Sequence, residues 1–248
     1  MQKYTFNSHF ATDFEHIPPK NGLPTVLYLH GFCSNAWGYK PETVKNVCLE
    51  QGLGFVRFDF AGHGSDVDNF ENADFSIWKN QVFEVIEKII AGDIIVVGSS
   101  MGGWLAMLAA INYPERIKGL VGLAAAPNFV KYFADLITVE QKQDLERCGK
   151  FKIVNNDFEY TITARFIETA LASCLPDDQP WKINCPVHLL QGILDASLPW
   201  RSVLDYAKRI TSKNIVIKLL KDSNHRLNDK TAIDELRVSL VNIVNICK

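Results

Sequence analysis

Apolar residues in this chain fall into short unbroken runs, and stretches of helical periodicity separate them. Thr25-Val-Leu-Tyr-Leu29, Phe55-Val-Arg-Phe58, Ile94-Ile-Val-Val97, Gly119 to Ala126, Val187-His-Leu-Leu190 and Ile215-Val-Ile-Lys-Leu219 read as strands, the most apolar of them buried on both faces. Helices are predicted between them. Pro41 to Gln51 opens on proline and closes at Gly52, and Phe75 to Ala91 is amphipathic and stops at Gly92. Trp104 to Ala110, Arg201 to Ile210 and Thr231 to about Ile246 complete the set, and residues 3–16 predict a short antiparallel edge. Strand and helix in alternation predict an α/β fold with a mostly parallel, doubly wound sheet covered on both faces.

The alternation breaks between Pro127 and Ile183. Thr138-x-x-Gln141 is a capping box for a helix reaching about Cys148. Phe151 to Thr161, with Asn155-Asn156-Asp157 inside it, predicts a hairpin. A further helix near Thr163 to Ser173 precedes Pro176-Asp-Asp-Gln-Pro180. An insertion here lies over the carboxyl ends of the strands, where open α/β sheets bind ligands, and is expected to act as a lid. Its Phe129, Tyr132, Phe133, Leu136, Phe151, Phe158 and Phe166 suggest an apolar acyl pocket, although most such residues serve the lid's own core.

One strand ends in chemistry. Ile94-Ile-Val-Val-Gly98-Ser-Ser100-Met-Gly102-Gly103 runs from a buried strand through Gly-x-Ser-x-Gly into a helix. The glycines flank a sharp reversal where a larger side chain would strike the neighbouring strand and helix, which pushes the Ser100 hydroxyl out of the sheet. A bland alternative is a serine that merely caps the helix. Serine needs a base, and the base needs an orienting carboxylate. Asp195, after the Val187 strand, and His225, after the last strand, follow in the order serine, acid, histidine. Rivals are present. Asp195 could simply form a turn, Asp222 is a second acid, and His30 and His63 are alternative bases that more readily shape their own turns. Two backbone N–H groups, of Met101 and of Phe32 in His30-Gly31-Phe32, are candidates for an oxyanion hole.

At 248 residues the chain suits one large α/β domain, and 47% hydrophobic with 22% charged residues is ordinary for a globular protein. A net charge of −2 without a long basic run argues against a nucleic-acid partner. No window approaches 18 apolar residues, so no stable membrane insertion is expected. The start of the chain carries no leader pattern, from which a cytoplasmic protein is expected. The 6 scattered cysteines form no Cys-x-x-Cys pair and read as free thiols. No cofactor or metal is called for: phosphate-cradling glycine loops and metal-spaced histidines are both missing from the pattern. Oligomeric state is left open.

His30-Gly31-Phe32, Asp59-Phe-Ala-Gly-His-Gly64, Gly98-Ser-Ser-Met-Gly-Gly-Trp104, Ala124-Ala-Ala-Pro127, Gly192-x-x-Asp195-x-x-x-Pro-Trp200 and Asn224-His225-Arg-Leu227 together resemble the α/β-hydrolase superfamily. The form around Ser100 and the Ala-Ala-Pro stretch are closest to bacterial serine hydrolases related to the mitochondrial palmitoyl-protein thioesterase and acyl-glucuronide esterase branch. The resemblance spans about residues 23 to 245. It implies a single α/β-hydrolase domain over 1–248 with a lid insertion at about 128–183. It further implies Ser100, Asp195 and His225 as a catalytic triad that cleaves esters or thioesters, and the lid's aromatic residues add the expectation of an apolar acyl group. Lactone, carbon–carbon bond or perhydrolase chemistry on the same triad, and a non-catalytic binding module, stay as alternatives. Asn128 departs from the pattern, where an aspartate is expected.

Overall fold

The computed structural model describes residues 2–133, 137–155 and 158–247. Its centre is an eight-stranded sheet built from β1 (Gln2–Thr5), β2 (Ala11–Ile17), β3 (Thr25–Leu29), β4 (Gly54–Phe58), β5 (Ile94–Ser99), β6 (Ile117–Leu123), β9 (Val187–Gly192) and β10 (Ile215–Leu220), in the order β1-β2-β4-β3-β5-β6-β9-β10. From β4 through β10 neighbouring strands run parallel; β2 joins β4 antiparallel and β1 pairs with β2. The sheet is therefore mostly parallel with an antiparallel edge, as the alternating pattern implies.

Side chains on β3 and β5 divide cleanly by parity, because successive residues of a strand point to opposite faces. Leu27, Leu29, Ile94 and Val96 enter one apolar cluster, with residues of α2 (Phe75–Glu84) and α3 (Met101–Asn112). Val26, Tyr28, Ile95 and Val97 enter the other, against α1 (Tyr39–Gln51) and α7 (Lys230–Cys247). Both faces are dry, so no side chain of these strands is left for solvent. That is why the runs read as unbroken apolar segments rather than as alternation. Truncating a buried leucine such as Leu27 costs about 2–5 kcal/mol.

Three elements differ from the pattern-based expectation. The Phe75 helix runs as α only to Glu84 and finishes in a π turn at Val85–Ile89. There the Glu84 carboxylate accepts the Asn7 N–H and the Tyr4 hydroxyl beneath the β1–β2 turn. Strand β6 stops at Leu123, because Ala124 adopts φ 43° and turns the chain across the Ser100 corner. Residues Gly64–Asn72 form 3-10 turns that their polar composition did not announce. Between β6 and β9 lie α4 (Val139–Cys148), a hairpin of β7 (Lys150–Asn155) and β8 (Phe158–Thr163), and α5 (Ala164–Leu171). The capping box at Thr138 and Gln141 is formed in both directions, and Thr163 caps α5. The hairpin's turn at Asn156-Asp157 lies outside the described residues, as do Leu136 and the side chain of Phe158. A short α6 (Ser202–Ala207) links β9 to β10. No disulfide joins cysteines among the described residues, and Cys33 and Cys48 are buried thiols.

Candidate active site

Ser100 sits at the junction of β5 and α3 with φ 52° and ψ −116°, a conformation costing a non-glycine residue about 1–3 kcal/mol. The surroundings impose it. The Ser100 N–H donates to the Leu123 carbonyl at 2.9 Å, and its own carbonyl accepts the Gly103 and Ala126 N–H groups at 2.9 and 3.1 Å. The two motif glycines are needed for close approach. A Cβ on Gly98 would lie 2.2 Å from the Gly102 carbonyl oxygen, and one on Gly102 would lie 2.2 Å from that of Leu29. The Ser100 side chain makes no capping hydrogen bond to α3. Its Oγ instead lies 3.0 Å from His225 Nε2.

His225 and Asp195 meet because β9 and β10 are parallel neighbours, with Gly192 opposite Leu220 where both loops leave the sheet. The loops are laced together: the Ile193 N–H donates to the Leu220 carbonyl and the Leu194 N–H to that of Ser223, at 2.9 and 3.0 Å. Asp195 Oδ2 lies 2.7 Å from His225 Nδ1 and accepts the Gln191 amide at 2.8 Å. Its Oδ1 accepts the Ser197 and Leu198 N–H groups at 2.9 and 2.8 Å. Asp195 is thus both turn former and histidine partner. Burial pushes its pKa up, but the bond and charge of His225, the Leu198 N–H and the Gln191 amide outweigh that and hold it below the ordinary value. An ionised Asp195 only accepts, so Nδ1 of His225 carries the ring proton and Nε2 is left to accept from the Ser100 hydroxyl. Asp222 is exposed to solvent.

The two rival histidines, His30 and His63, brace the loop after β3. His30 is buried; its Nε2 accepts the Phe60 N–H at 3.0 Å and its Nδ1 donates to the Gly31 carbonyl at 2.8 Å. His63 Nε2 accepts the Cys33 N–H at 3.2 Å and Nδ1 faces the Ala61 carbonyl at 3.1 Å. Burial takes the pKa of His30 down to about 4 and that of His63 well below the usual range, so both stay neutral acceptors. Sequence reasoning assigned no role to Asp59. Its Oδ1 accepts the Ala36 N–H at 2.7 Å and its Oδ2 the Trp37 indole at 3.0 Å, while burial raises its pKa to about 6. The conspicuous Asp-Phe-Ala-Gly-His-Gly run was the available signal.

Gly31 packs against the serine, where a Cβ would come within 3.3 Å of Ser100 Cβ. Phe32 follows, and its ring is held on several sides. It stacks on Phe166 at 5.1 Å and meets Phe70, Trp78, Phe129 and Phe133 between 5.7 and 6.4 Å. The ring anchors this loop to the 128–183 segment. Phe129, Phe133, Phe151 and Phe166 of that segment pack on one another; Tyr132 is exposed. Asn128 clasps the segment's ends, its Oδ1 accepting the Leu175 N–H at 2.7 Å and its Nδ2 donating to the Leu175 carbonyl at 2.8 Å. An amide makes both bonds; an ionised aspartate cannot.

A cavity of about 510 Å³ opens beside Ser100 and His225, walled by the loop after β3, the start of α1, Arg226 and Asn228. No group of residues suited to hold a metal ion occurs among those described.

A buried strand, a strained serine corner, and acid and histidine loops on adjacent parallel strands define the α/β-hydrolase class. Residues 24–146 match the α/β hydrolase fold family, and the chain belongs to it. It is 32% identical to the rat mitochondrial palmitoyl-protein thioesterase ABHD10 over 94% of this chain and 78% of that protein. The human counterpart is 32% identical over 91% of this chain and 77% of its own length. The solved structure of mouse α/β hydrolase domain-containing protein 10 superposes with a TM-score of 0.86 at 29% identity, over 100% of this chain and 99% of that one. The chain is accordingly a hydrolase of this family with a thioesterase or esterase lineage. The expectation of a cytoplasmic protein does not stand, because relatives matched over nine-tenths of the chain are named mitochondrial. The start of a chain is poor ground for assigning a compartment, since organelle-targeting segments are removable and lie outside the fold. No helix among the described residues is long and apolar enough to cross a membrane.

Proposed function

We propose that the chain is a serine hydrolase acting on carboxylic esters or thioesters, with Ser100 as nucleophile, His225 as base and Asp195 as its orienting carboxylate. The observation that carries this reading is the unbroken relay from Ser100 Oγ to His225 Nε2 at 3.0 Å and from His225 Nδ1 to Asp195 at 2.7 Å. Ser100 Oγ attacks the acyl carbonyl while its proton passes to Nε2. Asp195, ionised and buried, favours the imidazolium that forms. The N–H groups of Phe32 and Met101 are proposed to bind the oxyanion; losing one such donor costs about 2.7–4 kcal/mol in the barrier. His225 then gives its proton to the leaving oxygen or sulfur, which leaves an acyl-Ser100. The same ring activates water to release the acid and restore the serine.

The chain is read as one domain in which the 128–183 segment forms a lid over the strand ends. Its aromatic face, joined to the serine through Phe32, favours an apolar acyl group, and the palmitoyl-protein thioesterases among its relatives are named for such a group. The experiment is labelling by a fluorophosphonate together with turnover of short p-nitrophenyl esters. Labelling confined to Ser100 with measurable turnover is expected. Absence of both rejects the reading.

A further inference from the structure

The Asp195 side chain is wholly buried, and an ionised carboxylate in that position needs its lone pairs occupied by donors. The Ser197 and Leu198 N–H groups occupy Oδ1, and His225 Nδ1 takes one side of Oδ2. These three donors all belong to the loops that follow β9 and β10. The fourth comes from the sheet itself. Gln191 stands in β9 opposite Leu219 of β10, is fully buried, and donates through Nε2 to Oδ2 at 2.8 Å.

The same nitrogen faces the Gly192 and Leu198 carbonyls at 3.3 and 3.4 Å. Three acceptors gathered around one atom require a donor there, so the amide cannot be turned over. Its oxygen is thereby forced into the interior, where Oε1 has no hydrogen-bond partner among the described residues. A buried acceptor left unsatisfied is destabilising, and an apolar side chain of similar size would remove it. The glutamine's contribution is directional instead. One hydrogen reaches the carboxylate and the other points to the carbonyls, which ties the Asp195–Leu198 turn to the end of the strand. Without that tie Oδ2 keeps His225 alone, and the carboxylate can rotate about its Oδ1 bonds away from Nδ1.

We propose that Gln191 is a positioning residue of the reaction, one that holds Asp195 Oδ2 aimed at His225 Nδ1 while leaving its own oxygen buried and unpartnered. This rests on the serine-hydrolase reading and adds a residue to it.

The test is a double-mutant cycle on a short p-nitrophenyl ester, with Q191M, D195A and the two combined. Q191M keeps the volume and removes the donor. It is expected to lower kcat about tenfold to a hundredfold, the scale of one hydrogen bond to a charged group, with KM almost unchanged. In the D195A background the same change should lower kcat less than about twofold, because no carboxylate is left for the amide to aim. The low-field proton resonance of His225 Nδ1–H should be seen in the unaltered enzyme and broaden or vanish in Q191M. Q191L reads the same cycle if Q191M folds poorly. Full activity in Q191M, or a loss of the same size with and without Asp195, overturns the proposal. Failure of both variants to fold makes Gln191 a structural residue and overturns it as well. Absence of turnover and of Ser100 labelling in the unaltered enzyme instead overturns the underlying hydrolase reading, which keeps the two failures apart.

Discussion

The loop after β3 and the 128–183 segment flank the same serine, yet they are held by different forces. The loop is fastened by buried, directional polar bonds. His30, His63 and Asp59 each accept a backbone N–H, at Phe60, Cys33 and Ala36, and Arg57 donates to the Ala36 carbonyl at 3.3 Å. The segment is held by aromatic packing, by ion pairs open to water, Lys150 with Glu71 at 2.6 Å and Lys131 with Asp177, and by the exposed Arg165 on the buried Asp74 at 2.6 Å. Directional bonds of low dielectric fix a backbone to a fraction of an ångström, and losing one partner leaves a buried group unsatisfied. Exposed ion pairs contribute little and break easily. Under the proposed function, the loop would be a rigid floor that aims N–H groups at a developing charge and the segment a cover that yields to substrate.

Breaking the floor should therefore cost catalysis, and breaking the cover should cost little. The largest effect is Ser100→Ala, which should lower kcat on a short ester on the order of 10⁶-fold, read by product release under excess substrate. Asp195→Asn should lower kcat about 10⁴-fold with near-native folding, since the amide favours the wrong histidine tautomer. A pH–rate profile and a circular dichroism spectrum measure both halves of that statement. His63→Leu should lower kcat about 10²-fold, the cost of a misplacement of about 1 Å, while leaving the Ser100–His225–Asp195 side chains unaltered. A His63→Leu enzyme of full activity would contradict the bracing role.

Acid sharpens the comparison. His30, at about 4 in the folded chain against an ordinary 6.5, and His63, lower still by the same burial, both take protons first in the unfolded chain. Stability should fall as pH drops from about 6.5 through 4. Asp59, raised to about 6 from 3.8, works in the opposite direction over its own window, because the folded chain takes that proton first. Two histidines against one aspartate predict a falling thermal midpoint on acidification and a shallower slope in His63→Leu. On the cover, Asn128→Asp loses the donor to the Leu175 carbonyl and should cost about 1–3 kcal/mol, seen in the thermal midpoint, with kcat on a short ester almost unchanged. Smallest of all is Lys150→Ala. Its side chain and that of its partner Glu71 are 49% and 44% exposed, so about 0–1 kcal/mol is expected from a denaturant midpoint.

The architecture was legible where a single local property decides it. β3 and β5 are buried on both faces, and unbroken apolar runs report that directly. Glycine at 98 and 102 reports a close backbone approach. The meeting of the Asp195 and His225 loops was legible through chain order, since parallel neighbours bring strand ends together. Features that depend on partners distant in the chain were not. Asp59 is an ordinary aspartate until Ala36 and Trp37 fold over it. Asn128 read as a lost charge, whereas its value lies in donating and accepting at Leu175, 47 positions away. The Phe32 ring escaped notice because its partners come from four separate elements. Strand β6 was read three residues past its end because Ala124–Ala126 is apolar, and only the turn over the serine corner explains where it stops.

The most direct test of the account is a pre-steady-state measurement with a p-nitrophenyl ester, followed by intact and peptide mass analysis of the quenched enzyme. The account predicts a burst of about one p-nitrophenol per active enzyme and an acyl mass on the peptide containing Ser100, both absent in Ser100→Ala. A burst that persists in Ser100→Ala, or an acyl group on any other residue, would contradict it.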